Sequence, residues 1–156
     1  MEMNWQWFVG ELREYPAGIH QLRPPCDNES LERLRCALGE PPSVVRGMLE
    51  TFDGAKLFNR CGPMLTIFGV SAQIDRDPLE FAPDWYIDKY TPAWRSSIGS
   101  EGWVLGMMSY GGLVVLDNEV VREWDIVHHE WISDELTVRA WAERILHDGN
   151  ECLAAE

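Results

Sequence analysis

Gly102–Asp125 reads GWVLGMMSYGGLVVLDNEVVREWD, and this stretch decides the fold. Two short apolar runs, Trp103–Met108 and Leu113–Leu116, flank Ser109-Tyr110-Gly111-Gly112. A third run, Val120–Trp124, follows an Asp117-Asn118-Glu119 turn. Apolar runs of this length, separated by turns bearing Gly or Asn, read as antiparallel strands of a meander. The stretch carries no Cys, no His and no Ser–His pairing. It offers backbone-shaping glycines, apolar residues and a few carboxylates, which is poor material for a catalytic centre.

Upstream, helical spacing takes over. Trp5, Phe8, Val9 and Leu12 fall at i, i+3, i+4 and i+7 and make one apolar helix face, ended by Pro16 and Gly18. Gln21–Asn28, with Pro24-Pro25, is a connector. Asp27 or Asn28 caps a second helix carrying Leu31, Leu34 and Leu38, and Gly39 suits its left-handed end. Pro41-Pro42 forces a break and opens a third helix with Val44, Val45, Met48, Leu49 and Phe52, ended by Asp53-Gly54. The pair reads as an αα-hairpin with a proline-stiffened elbow. Met64–Gly69 is a short strand, the first or second of the sheet. Ser71–Asp84 is acidic and irregular. Asp84–Ser97 reads as a helix that Pro92 interrupts. Downstream of the meander, Ser133 is placed to cap a last helix with Leu136, Val138, Trp141 and Ile145, and Gly149 to end it. Residues 150–156 read as a frayed tail. Helices, then strands, then a closing helix predict an α+β fold with a twisted, mostly antiparallel sheet flanked by helices. The 156 residues read as one domain: an N-terminal helix and connector over 1–27, a core over 28–149, and the tail.

Composition narrows the function. A chain of this length buries about 70% of its extended surface, enough for a core without staples. The net charge is −13, from 26 acidic and 13 basic side chains. Such a chain repels phosphate backbones and anionic membranes, and attracts a cationic partner. No nucleic acid and no membrane is therefore expected among its partners. Cys26, Cys36, Cys61 and Cys152 form no C-x-x-C pair and lack histidines at ligand spacing, so they read as reduced thiols of a cytoplasmic protein. The N-terminus has no basic segment followed by an apolar one, so it does not read as a signal peptide. No 18-residue apolar run predicts a membrane span. Most of the 8 tryptophans are expected in the core, with some left for a groove or interface.

Candidate chemistry is thin. His128-His129-Glu130, near Asp117 and Asp125, is the best metal or acid–base candidate. Adjacent histidines on a strand point to opposite faces, and H-E-x-x-H is absent. Gly111-Gly112 is followed by a strand rather than a helix, so it reads as a turn and not a phosphate cradle. Ser97-Ile98-Gly99-Ser100 is only loosely like a nucleophile elbow. No catalytic residue, metal or cofactor is assigned. The carboxylates act as a field instead: Asp117–Glu135 holds seven acids against Arg122 alone.

Several of these features stand in a familiar order. They are Leu31-Glu32, Leu34 and Leu38-Gly39; the proline elbow; and the helix ending Phe52-Asp53-Gly54. Trp103, Gly106, Tyr110-Gly111-Gly112 and Leu116-Asp117 follow, then Val120, Glu123-Trp124-Asp125 and a Trp-bearing final helix. Over roughly Asn28–Leu146 the chain resembles the SUKH superfamily, the Smi/Knr-like immunity proteins. It departs in having Pro41-Pro42 for Leu-Pro, Asp53 for Asn, and Leu113 where Asp is frequent. The resemblance implies a SUKH-like α+β domain without enzymatic activity. It also implies a cytoplasmic immunity protein that binds and neutralises a cognate interbacterial toxin, such as a basic nuclease domain. The alternative it leaves is a regulatory or scaffold protein binding a host partner. A hydrolase built on His128 and His129 is the remaining class. For the binder, the expected contacts are Asp77, Glu80, Asp84, Trp85 and Tyr86 in the acidic segment, and Glu123, Asp125 and Glu130 at the strand end. Acids on exposed loops reach a cationic partner at little cost. The binder is expected as a monomer or weak homodimer.

Overall fold

The computed structural model describes residues 3–59, 64–70, 85–99, 101–132 and 134–155. Its elements are α1 (Trp5–Arg13), β1 (Gln21–Leu22), α2 (Asn28–Leu38), α3 (Ser43–Thr51), β2 (Ala55–Leu57), β3 (Leu65–Ile67) and α4 (Ile87–Ile98). The meander β4 (Trp103–Met108), β5 (Gly112–Asp117) and β6 (Val120–Asp125) follows, then β7 (Glu130–Trp131), β8 (Leu136–Thr137) and α5 (Val138–Ala154). The architecture is α+β. The strands form one antiparallel sheet in the order β1-β2-β3-β4-β5-β6-β7. β8 pairs with β6 on the edge that also carries β7. β7 and β8 are thus two halves of an interrupted strand.

The predicted apolar faces are the buried ones. Trp5, Phe8, Val9 and Leu12 of α1 are all buried, and the Trp5 indole N–H donates to the Val44 carbonyl at 2.9 Å, tying α1 to α3. Asp27 caps α2 by accepting the Ser30 N–H at 2.7 Å, and Gly39 ends it at φ 88°. α2 and α3 are joined across their elbow by Arg35–Glu40 and Arg46–Glu40 ion pairs at 2.7 and 3.5 Å. Their helix partners lie elsewhere: α3 packs on α1, and α2 on α4. β5 is buried on both faces along nearly its whole length. Where β4 shifts register between Val104 and Gly106, a side chain on Gly106 would strike the Thr66 carbonyl of the neighbouring strand. Met64–Gly69 supplies β3, the third strand in chain order.

Several expectations are corrected. Pro92 does not interrupt α4; it sits on the exposed side of a continuous helix. Burial of Ile87, Thr91 and Trp94 outweighs the usual proline cost of about 3 kcal/mol. Thr91 also anchors the helix, its hydroxyl accepting the Val104 N–H of β4 at 3.1 Å. The helix begins at Ile87 rather than Asp84. Ser133 lies outside the described residues, and Thr137 caps α5 by accepting the Ala140 N–H at 3.1 Å. Leu136 is therefore on β8, not in the helix. Gly149 does not end α5, and residues 150–154 are helical rather than frayed. Three contacts hold that end. Gly149 packs against the Phe58 ring, Tyr15 donates its hydroxyl to Asn150, and Cys152 is in a disulfide. The last finding overturns the expectation of four reduced thiols; Cys26 and Cys36 are free. Disulfides belong to oxidising compartments, so the cysteines no longer argue for the cytoplasm. Among the described residues no helix is long and apolar enough to cross a membrane.

Candidate functional site

The structure separates the residues proposed to meet a partner. Asp77, Glu80 and Asp84 lie outside the described residues. Trp85 is half-buried against Phe68, with ring centroids 6.1 Å apart. Tyr86 lies under the Arg23 guanidinium at 5.7 Å, near the β1 edge. Glu123, Asp125 and Glu130 stand at the other edge, on β6 and β7. Trp85 and Tyr86 therefore do not join the acidic strand end in one patch.

At that strand end the geometry is well defined. Gly112 pairs with Asp125, and Asp125 with Glu130, so the β4–β5 and β6–β7 turns emerge side by side. Gly111, at φ 96°, supplies the left-handed residue that the first turn needs. The neighbouring Gly112 gives room: a Cβ there would come within 2.9 Å of the Tyr110 ring and 3.3 Å of Ile132. Tyr110 folds over this spot and donates its hydroxyl to the Glu123 carboxylate.

The second turn is organised by Asp125. Its carboxylate accepts the Val127 and His128 backbone N–H groups at 2.9 and 3.1 Å and contacts His128 Nδ1 at 2.8 Å. The His128 hydrogen bond, more than the backbone N–H groups, holds the Asp125 carboxyl below its ordinary value of 3.8. The same hydrogen bond, reinforced by the Asp125 charge, raises His128 above 6.5. The sign of the pH effect follows. The His128 contribution is present below its ordinary value and is lost as pH rises through the raised one. The Asp125 contribution is lost as pH falls through the depressed carboxyl value. An NMR titration should place the His128 midpoint above 6.5, and Asp125→Asn should return it towards 6.5.

What this turn leaves in solvent is unexpected. Tyr110 (64% exposed), Ile126, Val127 (82%) and Ile132 are the large apolar side chains left exposed among the described residues, and all four sit at this end of the sheet. Sequence reasoning missed Ile126, Val127 and Ile132. The available signal was a pair of β-branched apolar residues in a turn, where Gly, Asn, Asp or Ser is usual. The tryptophans, by contrast, are largely inside: Trp5, Trp94, Trp103, Trp124 and Trp141 are buried, and Trp7, Trp85 and Trp131 half-buried. Trp94 of α4 meets Trp124 and Trp131 edge-on, each at 6.0 Å, backing the turn with a rigid aromatic wall.

Charge surrounds the apolar patch. Arg122, the single base of the acidic stretch, stacks over Trp131 at 4.1 Å and pairs with Asp117 and Glu135 at 3.9 and 4.0 Å. Its charge is thereby taken up locally, while Glu130, Asp134 and Glu135 remain exposed. Asp125, His128 and Glu130 have ligand atoms within 4.8 Å of one another. The Asp125 oxygens are already bonded to the turn, and His129 turns away at φ 53° to lie against Trp124. No protein-family model matches this chain, and no curated protein matches it.

Proposed function

We propose that this chain is a non-enzymatic, SUKH-like immunity protein that binds a basic protein toxin through the sheet end formed by Tyr110, Glu123, Asp125–Glu130 and Ile132. The observation that carries this reading is the coincidence of the exposed apolar side chains with the acidic strand end. Apolar patches rimmed by polar groups mark protein-binding surfaces. A nuclease that grips phosphate presents the opposite charge. The chain's net charge of −13 would speed encounter with such a partner, and the apolar patch would slow release. The same charge disfavours nucleic acid and anionic membrane as partners. The reading requires the cytoplasm, where a nuclease toxin meets its substrate; the Cys152 disulfide does not favour that compartment, so the cytoplasm rests on the toxin's target alone, and no cofactor is needed.

The test is co-expression with the toxin encoded by the adjacent open reading frame. Growth should be rescued, and the two chains should co-purify one to one. A toxin that kills regardless, with no complex recovered, would overturn the reading.

A further inference from the structure

Beside the exposed patch, between α4 and the Ile126–His129 turn, runs a groove of about 280 Å³. Tyr90, Trp94 and Ile98 form its helix side, and Leu113, Trp124 and Ile126 its sheet side. We propose that this groove is the anchor pocket of the interface and seats one uncharged apolar side chain presented by a basic segment of the partner protein. The inference rests on the partner-binding reading above and names what the partner inserts.

Four observations point to this occupant. The volume, at the lower edge of the roughly 300–1,000 Å³ of small-molecule pockets, is ample for a single side chain. Trp94, which lines the groove, is 4% exposed, and its buried indole N–H has no hydrogen-bond acceptor among the described residues. The groove meets the exposed apolar side chains at Ile126, whereas Tyr110 and Ile132 line a second pocket with Glu123 and α5. Charge then divides the partner's contacts. Lys89 lines the groove, so a cation is disfavoured inside it, whereas Asp125 and Glu130 stand outside. The occupant is therefore apolar within and cationic on either side, the arrangement of an interface hot spot with a charged rim.

The test uses blocked peptides and needs no toxin. Acetyl-Lys-Lys-Phe-Lys-Lys-amide is compared with its Phe-to-Ser and its Lys-to-Glu counterparts, following the Trp94 indole N–H signal by NMR. The Phe peptide should move that signal and bind about tenfold tighter than the Ser peptide, and the Glu-flanked peptide should not bind. Ala93→Gln fills the mouth from an exposed helix position and should abolish the Phe preference without altering the fold. Trp94→Phe should weaken the Phe peptide several-fold. Equal binding of the Phe and Ser peptides with the Trp94 signal unmoved, or a Phe preference that survives Ala93→Gln, would overturn the groove. Groove binding without toxin protection would leave this inference standing and remove the immunity reading. Toxin binding indifferent to Ala93→Gln would do the reverse.

Discussion

Glu123→Lys combined with Glu130→Lys is expected to slow association with a basic partner by about 10- to 100-fold, and to flatten its dependence on salt. Both carboxylates belong to the strand end where the exposed apolar side chains gather. Reversing them changes the local charge by four, from −6 to −2 over Asp117–Glu135, and so removes most of the local steering field. The effect should fall mainly on the association rate, because long-range fields act on encounter. Glu123 also accepts the Tyr110 hydroxyl, so Tyr110→Phe is the control for that hydrogen bond. Asp125 is left intact because its carboxylate holds the turn through Val127 and His128. Stopped-flow measurement at two ionic strengths reads the result. Unchanged rates and an unchanged salt slope would remove the acidic surface from the account. Trp85→Ala and Tyr86→Ala should behave differently, costing stability rather than binding, since one ring lies on Phe68 and the other under Arg23.

Gly149→Ala is expected to destabilise the fold by about 3 kcal/mol, the upper end for overpacking a core. The added methyl would land on the ring of Phe58, which is fully buried. Phe58 has little room to move. Its backbone is held at φ 55°, and the Tyr15 and His20 rings meet it edge-on at 5.4 and 4.5 Å. Thermal unfolding should fall by roughly 6–12 °C for a domain of this size. A helix-terminating glycine in an open left-handed position would lose far less. Small or absent destabilisation would mean that α5 does not lie against the β2–β3 connection.

These two sites show where sequence pattern was informative and where it was not. The meander was legible because apolar runs and turn residues alternate at strand length, and the Gly-Gly turn has one obvious use. α1 was legible because four apolar residues share one face. Gly149 was not, since a glycine in a helical pattern signals an end only if nothing else needs the space, and Phe58 is distant in sequence. Pro92 was misjudged because the burial that carries α4 through it is a tertiary effect. β7 and β8 are two residues each, too short for any period to show. Within the candidate site, charge was readable residue by residue, so Glu123, Asp125 and Glu130 could be named. Their grouping with Tyr110, Ile126, Val127 and Ile132 depends on strand register, which brings two turns together and which composition does not encode. Trp85 and Tyr86 read as contact aromatics because they adjoin an acidic segment, but one ring lies against Phe68 and the other under Arg23.

The measurement closest to the central claim is amide hydrogen exchange on the one-to-one complex with the co-expressed toxin, compared with the free chain. Added protection should concentrate over 109–112 and 123–132, with the β1 edge around Arg23 unchanged. Protection centred on the Arg23 and Tyr86 side, with the Ile126–His129 turn exchanging as freely as before, would contradict it.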